Sequence, residues 1–143
     1  DLPPGTGDIQ LTLSQNIQIS GAIIVSTPQE VALEDVRRAI NMFKQVKVEI
    51  IGMIQNMSYF EDSKNNKIYL LGKNNVVEEA KKQNLNFLGE IPIVQDISLT
   101  SDQGKPITVN EKSLIAIKFN EIVKKINQIL DKQNIHETNV EIN

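Results

Sequence analysis

Cysteine and tryptophan are absent from these 143 residues, and histidine occurs once, at His136. Without cysteine the chain forms no disulfide and offers no thiolate to a zinc or iron–sulfur site. That usage fits a reducing compartment such as the cytoplasm. One histidine in a polar tail lacks the converging groups that a metal centre or a nucleophile–base pair requires. No apolar stretch reaches the roughly 18 residues of a membrane span, so no membrane partner is expected. The net charge is −3, the wrong sign for a protein held to nucleic acid by overall charge. The commonest phosphate-binding signature, GxxxxGK[ST], is also missing. Gly72-Lys73 and Gly104-Lys105 lack both its spacing and the following Ser or Thr.

What remains is an ordinary folding chain. Hydrophobic residues make up 40% and charged residues 23%, enough for the core of one domain or most of one. Residues 21–26 form a short β-branched run, read as a strand covered on both faces. Thr27, Pro28 and Glu30 then suggest a capped helix start with a capping box. The helix runs to about Val46, with Ala32, Val36, Ala39, Ile40 and Phe43 on one face. Residues 48–54 make a second strand, and strand–helix–strand implies a parallel pair. Residues 59–71 read as a hairpin or extended loop with a polar middle. A short helix over 76–83 and a third strand over 86–91 follow, the strand closed by Pro92.

A short helix over 96–102 precedes the break at Gly104-Lys105-Pro106. Residues 112–132 form a long amphipathic helix whose stripe carries Ile115, Phe119, Ile122, Ile126 and Ile129. The stripe suits packing on the sheet; a coiled-coil partner is the alternative. Met57 and Tyr59 read as packing residues. Residues 1–132 are assigned to one nucleotide-type α/β unit and 133–143 to a disordered tail. Alternating strands and helices define a doubly wound parallel sheet, in which ligands bind beyond the carboxyl ends of the strands. Thr27 onward, Gln55-Asn56-Met57 and the segment from Pro92 to Asp96 leave those ends.

The first residues, DLPPGTGD, place an acid before a Pro/Gly turn. In phosphate-binding α/β proteins such an acid supports Mg²⁺ while the turn faces the terminal phosphate; a plain surface loop is the alternative. The chain reads as the back portion of a nucleotide-binding domain. A sheet without its central strands would leave edges and apolar faces bare, so aggregation or dimerisation of the isolated chain is expected.

DLPPGTGD, STPQEVALEDVRRAI, GMIQNMSYF, FLGEIPIVQDI and DQGKPI occur in that order. Together they resemble the Mrp/ApbC-type iron–sulfur cluster carrier ATPases of the MinD/ParA class of P-loop proteins. The resemblance runs from Asp1 to about Lys132. It implies an ATP-binding carrier or assembly protein for iron–sulfur clusters in the cytoplasm, a homodimer with apoprotein clients. It implies that Asp1 orders Mg²⁺ and that Pro3, Pro4, Gly5, Thr6, Gly7 and Asp8 form the turn that senses the γ-phosphate. It implies that Asn56 meets the adenine edge, which its amide donor and acceptor suit, and that Pro92 to Asp96 passes beside the base or ribose. Taken alone, Asn56 equally suits a turn, Pro92 a strand end and Asp96 a helix cap.

Two departures qualify this. The phosphate-binding loop, which supplies most triphosphate contacts, is not among these residues, so this polypeptide alone is expected neither to bind ATP tightly nor to hydrolyse it. The Cys-x-x-Cys pair that many members carry after NMSYF falls on Asp62 and Asn65. The soft ligands for a cluster are therefore missing, although Glu61 and Asp62 remain as hard carboxylates. A positioning ATPase of the same class and a non-enzymatic remnant are the rival readings.

Overall fold

The computed structural model describes residues 8–140. The order is α1 (Asp8–Asn16), β1 (Ala22–Ser26), α2 (Glu30–Gln45), β2 (Ile50–Gln55), β3 (Phe60–Glu61), β4 (Lys67–Ile68), α3 (Asn75–Lys82), β5 (Phe87–Glu90), α4 (Gln95–Asp102), a 3-10 turn (Ile107–Val109) and α5 (Leu114–Val140). Strands β1, β2 and β5 form a parallel sheet in the order β1-β2-β5, and β3 pairs antiparallel with β4. The three expected parallel strands and the expected hairpin are all present.

Helices lie on both faces of the sheet. On one face, α2 and α3 bury Leu33, Val36, Ile40, Phe43, Val76 and Ala80 against Ala22, Ile24, Ile50 and Met53. Each large side chain of this set contributes about 1.5–3 kcal/mol by leaving water. The buried set of α2 also includes Met42, whereas Ala32 and Ala39 are only half-buried. On the other face, α5 sets Ile122 against Leu88 and Ile91, with Phe119, Ile126 and Ile129 packed around them. The α5 stripe thus covers the sheet. Gly89 makes this approach possible: a Cβ there would stand 2.6 Å from Ile122 Cγ1.

Three local expectations need correction. Strand β1 is not covered on both faces: its burial alternates, with Ile23 38% and Val25 57% exposed. Among the described residues it lies at the edge of the sheet, and α5 packs over β5 and β2 instead. Helix α2 has no capping box. It starts at Glu30, with Gln29 extended at its cap and no side-chain cap bond. Pro28 is buried, and its carbonyl accepts a 2.7 Å hydrogen bond from Asn75 Nδ2, so a tertiary contact holds it outside the helix. Finally, α5 continues past Lys132 to Val140; residues 133–140 contain neither Gly nor Pro to stop it. Among the described residues, no helix is long and apolar enough to cross a membrane.

Candidate functional site

The parallel register aligns Ser26 with Gln55 and Gln55 with Glu90. The chain therefore leaves all three strands at one edge, through Thr27, Asn56 and Ile91. Backbone bonds stitch this rim together. Asn56 N donates to Ser26 O at 2.8 Å and Ile91 N to Gln55 O at 2.8 Å. Beyond the strands, Ser58 N donates to Ile91 O at 2.9 Å and Ile93 N to Tyr59 O at 2.7 Å. Asn56 and Pro92 are thereby brought to the same edge, Pro92 buried and Asn56 half-buried.

The turn after β2 has a fixed shape. Met57 takes a positive φ of 50°, uncommon for a side chain of its size. Asn56 Oδ1 accepts the Met57 N–H at 2.9 Å, which orients the amide. No partner for Asn56 Nδ2 occurs among the described residues. Met57 is 47% exposed, so it is not the packing residue expected of it, whereas Tyr59 is buried at 1%.

Beneath the turn lies a polar chain that the apolar pattern does not reveal. Gln55 and Ser58 are fully buried. Gln55 Nε2 donates to Ser58 Oγ at 2.6 Å, and Ser58 Oγ donates to Glu90 Oε2 at 2.6 Å. Lys67 Nζ, on β4, meets Glu90 Oε1 at 3.1 Å and stands 3.9 Å from the Tyr59 ring centroid. Partial burial pulls the Lys67 ammonium down, but the hydrogen bond and charge of Glu90 together with Tyr59 outweigh it and leave the lysine above its ordinary value. Gln55 Oε1 accepts the Val76 N–H at 3.3 Å, which satisfies an otherwise unpaired donor of the first turn of α3. The one signal in the sequence is a glutamine ending an apolar run, in phase with a buried position.

The loop before α3 closes the rim from the side. Gly72 has φ 117°, and a Cβ there would stand 2.9 Å from the Pro28 carbonyl oxygen. Only glycine meets both demands.

Asp96 lies apart from this group. It is exposed in the first turn of α4, whose cap is Val94, and it is not itself the cap. No hydrogen bond or ion pair joins it to Asn56 among the described residues. Asp1, Pro3, Pro4, Gly5, Thr6 and Gly7 lie outside the described residues, and Asp8 opens α1. A groove of about 380 Å³ runs along α1 between Ile9, Leu13 and Ile17 and shares no residue with the rim.

The hairpin tip does not fit a cluster. Asp62 Oδ1 accepts the Lys64 N–H at 2.8 Å and the Asn66 N–H at 2.9 Å, while Oδ2 accepts Asn66 Nδ2 at 3.0 Å. These bonds, the Asn66 side chain first, hold the Asp62 carboxyl below its usual range. The carboxylate is taken up by the turn. No group of three His, Cys, Asp or Glu side chains able to hold a metal occurs among the described residues.

The chain is similar to several known proteins. The iron-sulfur cluster carrier protein of Aquifex aeolicus is 44% identical over 135 residues, covering 93% of this chain and 37% of its own length. The iron-sulfur cluster transfer protein NUBPL of Dictyostelium discoideum is 50% identical over 128 residues, 88% of this chain and 40% of its own length. The chain thus spans about two fifths of these relatives. A nucleotide-binding protein from Archaeoglobus fulgidus, solved in complex with ADP and with Co found in it, superposes with a TM-score of 0.67 at 41% identity, covering 82% of this chain and 48% of its own. The MinD cell division protein of Aquifex aeolicus shares the fold, with a TM-score of 0.61 at 19% identity, over 85% of this chain and 47% of its own. Residues 1–127 match the ParA family described as NUBPL iron-transfer P-loop NTPase, and the chain belongs to that family.

Proposed function

We propose that this chain is the adenine-reading portion of an ATP-binding iron–sulfur cluster carrier. The observation that carries the reading is the Asn56 amide at the carboxyl edge of the sheet, oriented by Met57 N–H, with Nδ2 left to donate. A donor and an acceptor on one rigid amide complement the adenine edge, and the carboxyl edge of an open α/β sheet is where such ligands bind. The Archaeoglobus fulgidus protein solved with ADP supports the ligand class, and the carrier and transfer proteins among the relatives support the cargo.

On this reading the complete protein hydrolyses ATP slowly, with Asp1 supporting Mg²⁺ and residues Pro3 to Asp8 sensing the γ-phosphate. It acts as a homodimer, delivers clusters to apoprotein clients and works in the cytoplasm. Pro92 and the backbone around Ile91 wall the base, and Asp96 lies further along the same segment. The cluster is cargo, and its ligands are not Asp62 and Asn65. A role as a positioning ATPase rests on likeness of fold alone.

The test is saturation-transfer NMR of this chain with adenosine and with guanosine. The expected result is an adenosine signal in wild type that disappears in Asn56→Ala, with guanosine silent throughout. Equal signals for the two nucleosides, or an adenosine signal that survives Asn56→Ala, overturn the reading. Cluster carriage is checked separately: a cluster-loaded preparation should pass its visible absorption to an apo-ferredoxin, and retention of the cluster through repeated mixing counts against the carrier role.

A further inference from the structure

We propose that Gln55, Ser58, Glu90 and Lys67 couple the Asn56–Met57 turn to the β3–β4 hairpin, so that adenine at the rim is felt at the hairpin and contacts on the hairpin change the rim. In its ligand arm the inference rests on the adenine reading above.

The turn is gripped at both ends by this chain. Gln55 precedes Asn56, Ser58 follows Met57, and the two buried side chains bond directly at 2.6 Å. Between them Met57 holds its positive φ, a conformation that persists only where its surroundings over-determine it. From Ser58 the chain passes through both Glu90 oxygens to Lys67 at 2.6 and 3.1 Å. Lys67 belongs to β4, and its partner across the ladder is Glu61 of β3. Four side chains therefore connect the turn to the hairpin without a gap.

At its base the hairpin is tied to the sheet by the Ser58 N to Ile91 O and Ile93 N to Tyr59 O bonds; along β4 the tie is Lys67 to Glu90. The hairpin is a separate two-stranded ladder, with Phe60 45% and Ile68 42% exposed. Its tip is closed by Asp62 through bonds within the turn itself. Tyr59, buried beneath Lys67, anchors the base of the hairpin. A ladder of this size is marginal by itself, so the Lys67–Glu90 link adds to the Tyr59 anchor in setting the position of β4. Gln55 and Ser58 are the buried members of this chain, and a buried polar group that loses its partner is left unsatisfied in a low-dielectric surrounding. Linkage makes the effect reciprocal.

The experiment is residue-resolved hydrogen exchange and adenosine titration by NMR on the whole chain, comparing wild type, Lys67→Met, Lys67→Arg and Lys64→Ala. Lys67 is 40% exposed at its side chain, so its replacement leaves the core intact. Lys67→Met should speed exchange of the Met57 and Ser58 amides about ten-fold. Lys67→Arg, which keeps the charge on Glu90, should restore protection, and Lys64→Ala on the same hairpin should change nothing at the turn. Adenosine should shift Asn56 and Met57 and, in wild type only, Lys67 and Ile68. A Lys67→Met protein with a loosened hairpin and an unchanged turn overturns the coupling. So does a wild-type adenosine response confined to Asn56 and Met57, which leaves the adenine reading standing. Silence at Asn56 overturns the adenine reading alone, and the exchange result then decides the coupling.

Discussion

Arg37 of α2 and Glu79 of α3 meet at 2.8 Å, with the Glu79 side chain 2% exposed and Arg37 also holding Glu30 and Glu34. This contact clamps the two helices that cover one face of the sheet. The Arg37 hydrogen bond, outweighing burial and helped by Gln83, holds the Glu79 carboxyl below its ordinary value. The stabilisation is fully present above the unfolded carboxylate value and is lost as pH falls through the lower folded value. Asp62 acts with the same sign. We expect the urea midpoint of wild type to fall between about pH 5 and pH 3, and Glu79→Gln to be less stable at neutral pH with a flatter slope in that window. Parallel slopes for the two proteins would show that the pair does not couple folding to pH.

Two isoleucines of the β1–α2 unit should respond differently to truncation. Ile40 is fully buried in the α2 layer, whereas Ile23 is exposed on β1. Ile40→Ala should cost about 2–5 kcal/mol and Ile23→Ala no more than about 0.5 kcal/mol, measured by urea denaturation. A costly Ile23→Ala would mean that something covers that face in solution.

Gly89 should tolerate no side chain while Ile122 is in place. The 2.6 Å approach of Ile122 Cγ1 to a Cβ at Gly89 predicts a loss of about 1–3 kcal/mol for Gly89→Ala. Truncating the neighbour in the double variant Gly89→Ala, Ile122→Ala should recover part of the clash, so that the two losses are less than additive. Strict additivity in thermal unfolding would place the helix elsewhere.

The hairpin tip should behave as a self-closed turn. Asp62→Ala removes acceptors for the Lys64 and Asn66 amides, and their hydrogen exchange should rise by about ten-fold. Added ferrous iron or a chelator should leave wild-type exchange at these amides unchanged. Protection that depends on iron would restore a metal role to this loop.

Much of the fold is legible because burial leaves a period in the chain. The β-branched runs of β1 and β2 and the α5 stripe announce a parallel sheet with helices on it. The boundaries of β2, α3 and β5 lie within two residues of their expected positions. The α2 start is not legible, because Thr27-Pro28-Gln29-Glu30 carries a local capping pattern while the Asn75–Pro28 bond decides the geometry from 47 positions away. Met57 misleads because an apolar residue after a strand usually packs, and here a turn directs it outward. Gln55, Asn56 and Pro92 are legible as rim residues; the contacts among Gln55, Ser58, Glu90 and Lys67 are not, since partners lie as far as 32 residues apart in the chain.

Motif order and hydrophobic period are properties of the chain read in line, so the family and the order of strands and helices follow from the residues alone. The folded arrangement settles the rest: among the described residues one face of β1 is exposed, Asp62 is consumed by its own turn, and a polar chain buried at Gln55 and Ser58 runs from the rim to the hairpin. Those outcomes depend on which distant groups meet within hydrogen-bonding distance, and a 2.6 Å contact between Ser58 and Glu90 exists only once the sheet has brought their strands side by side.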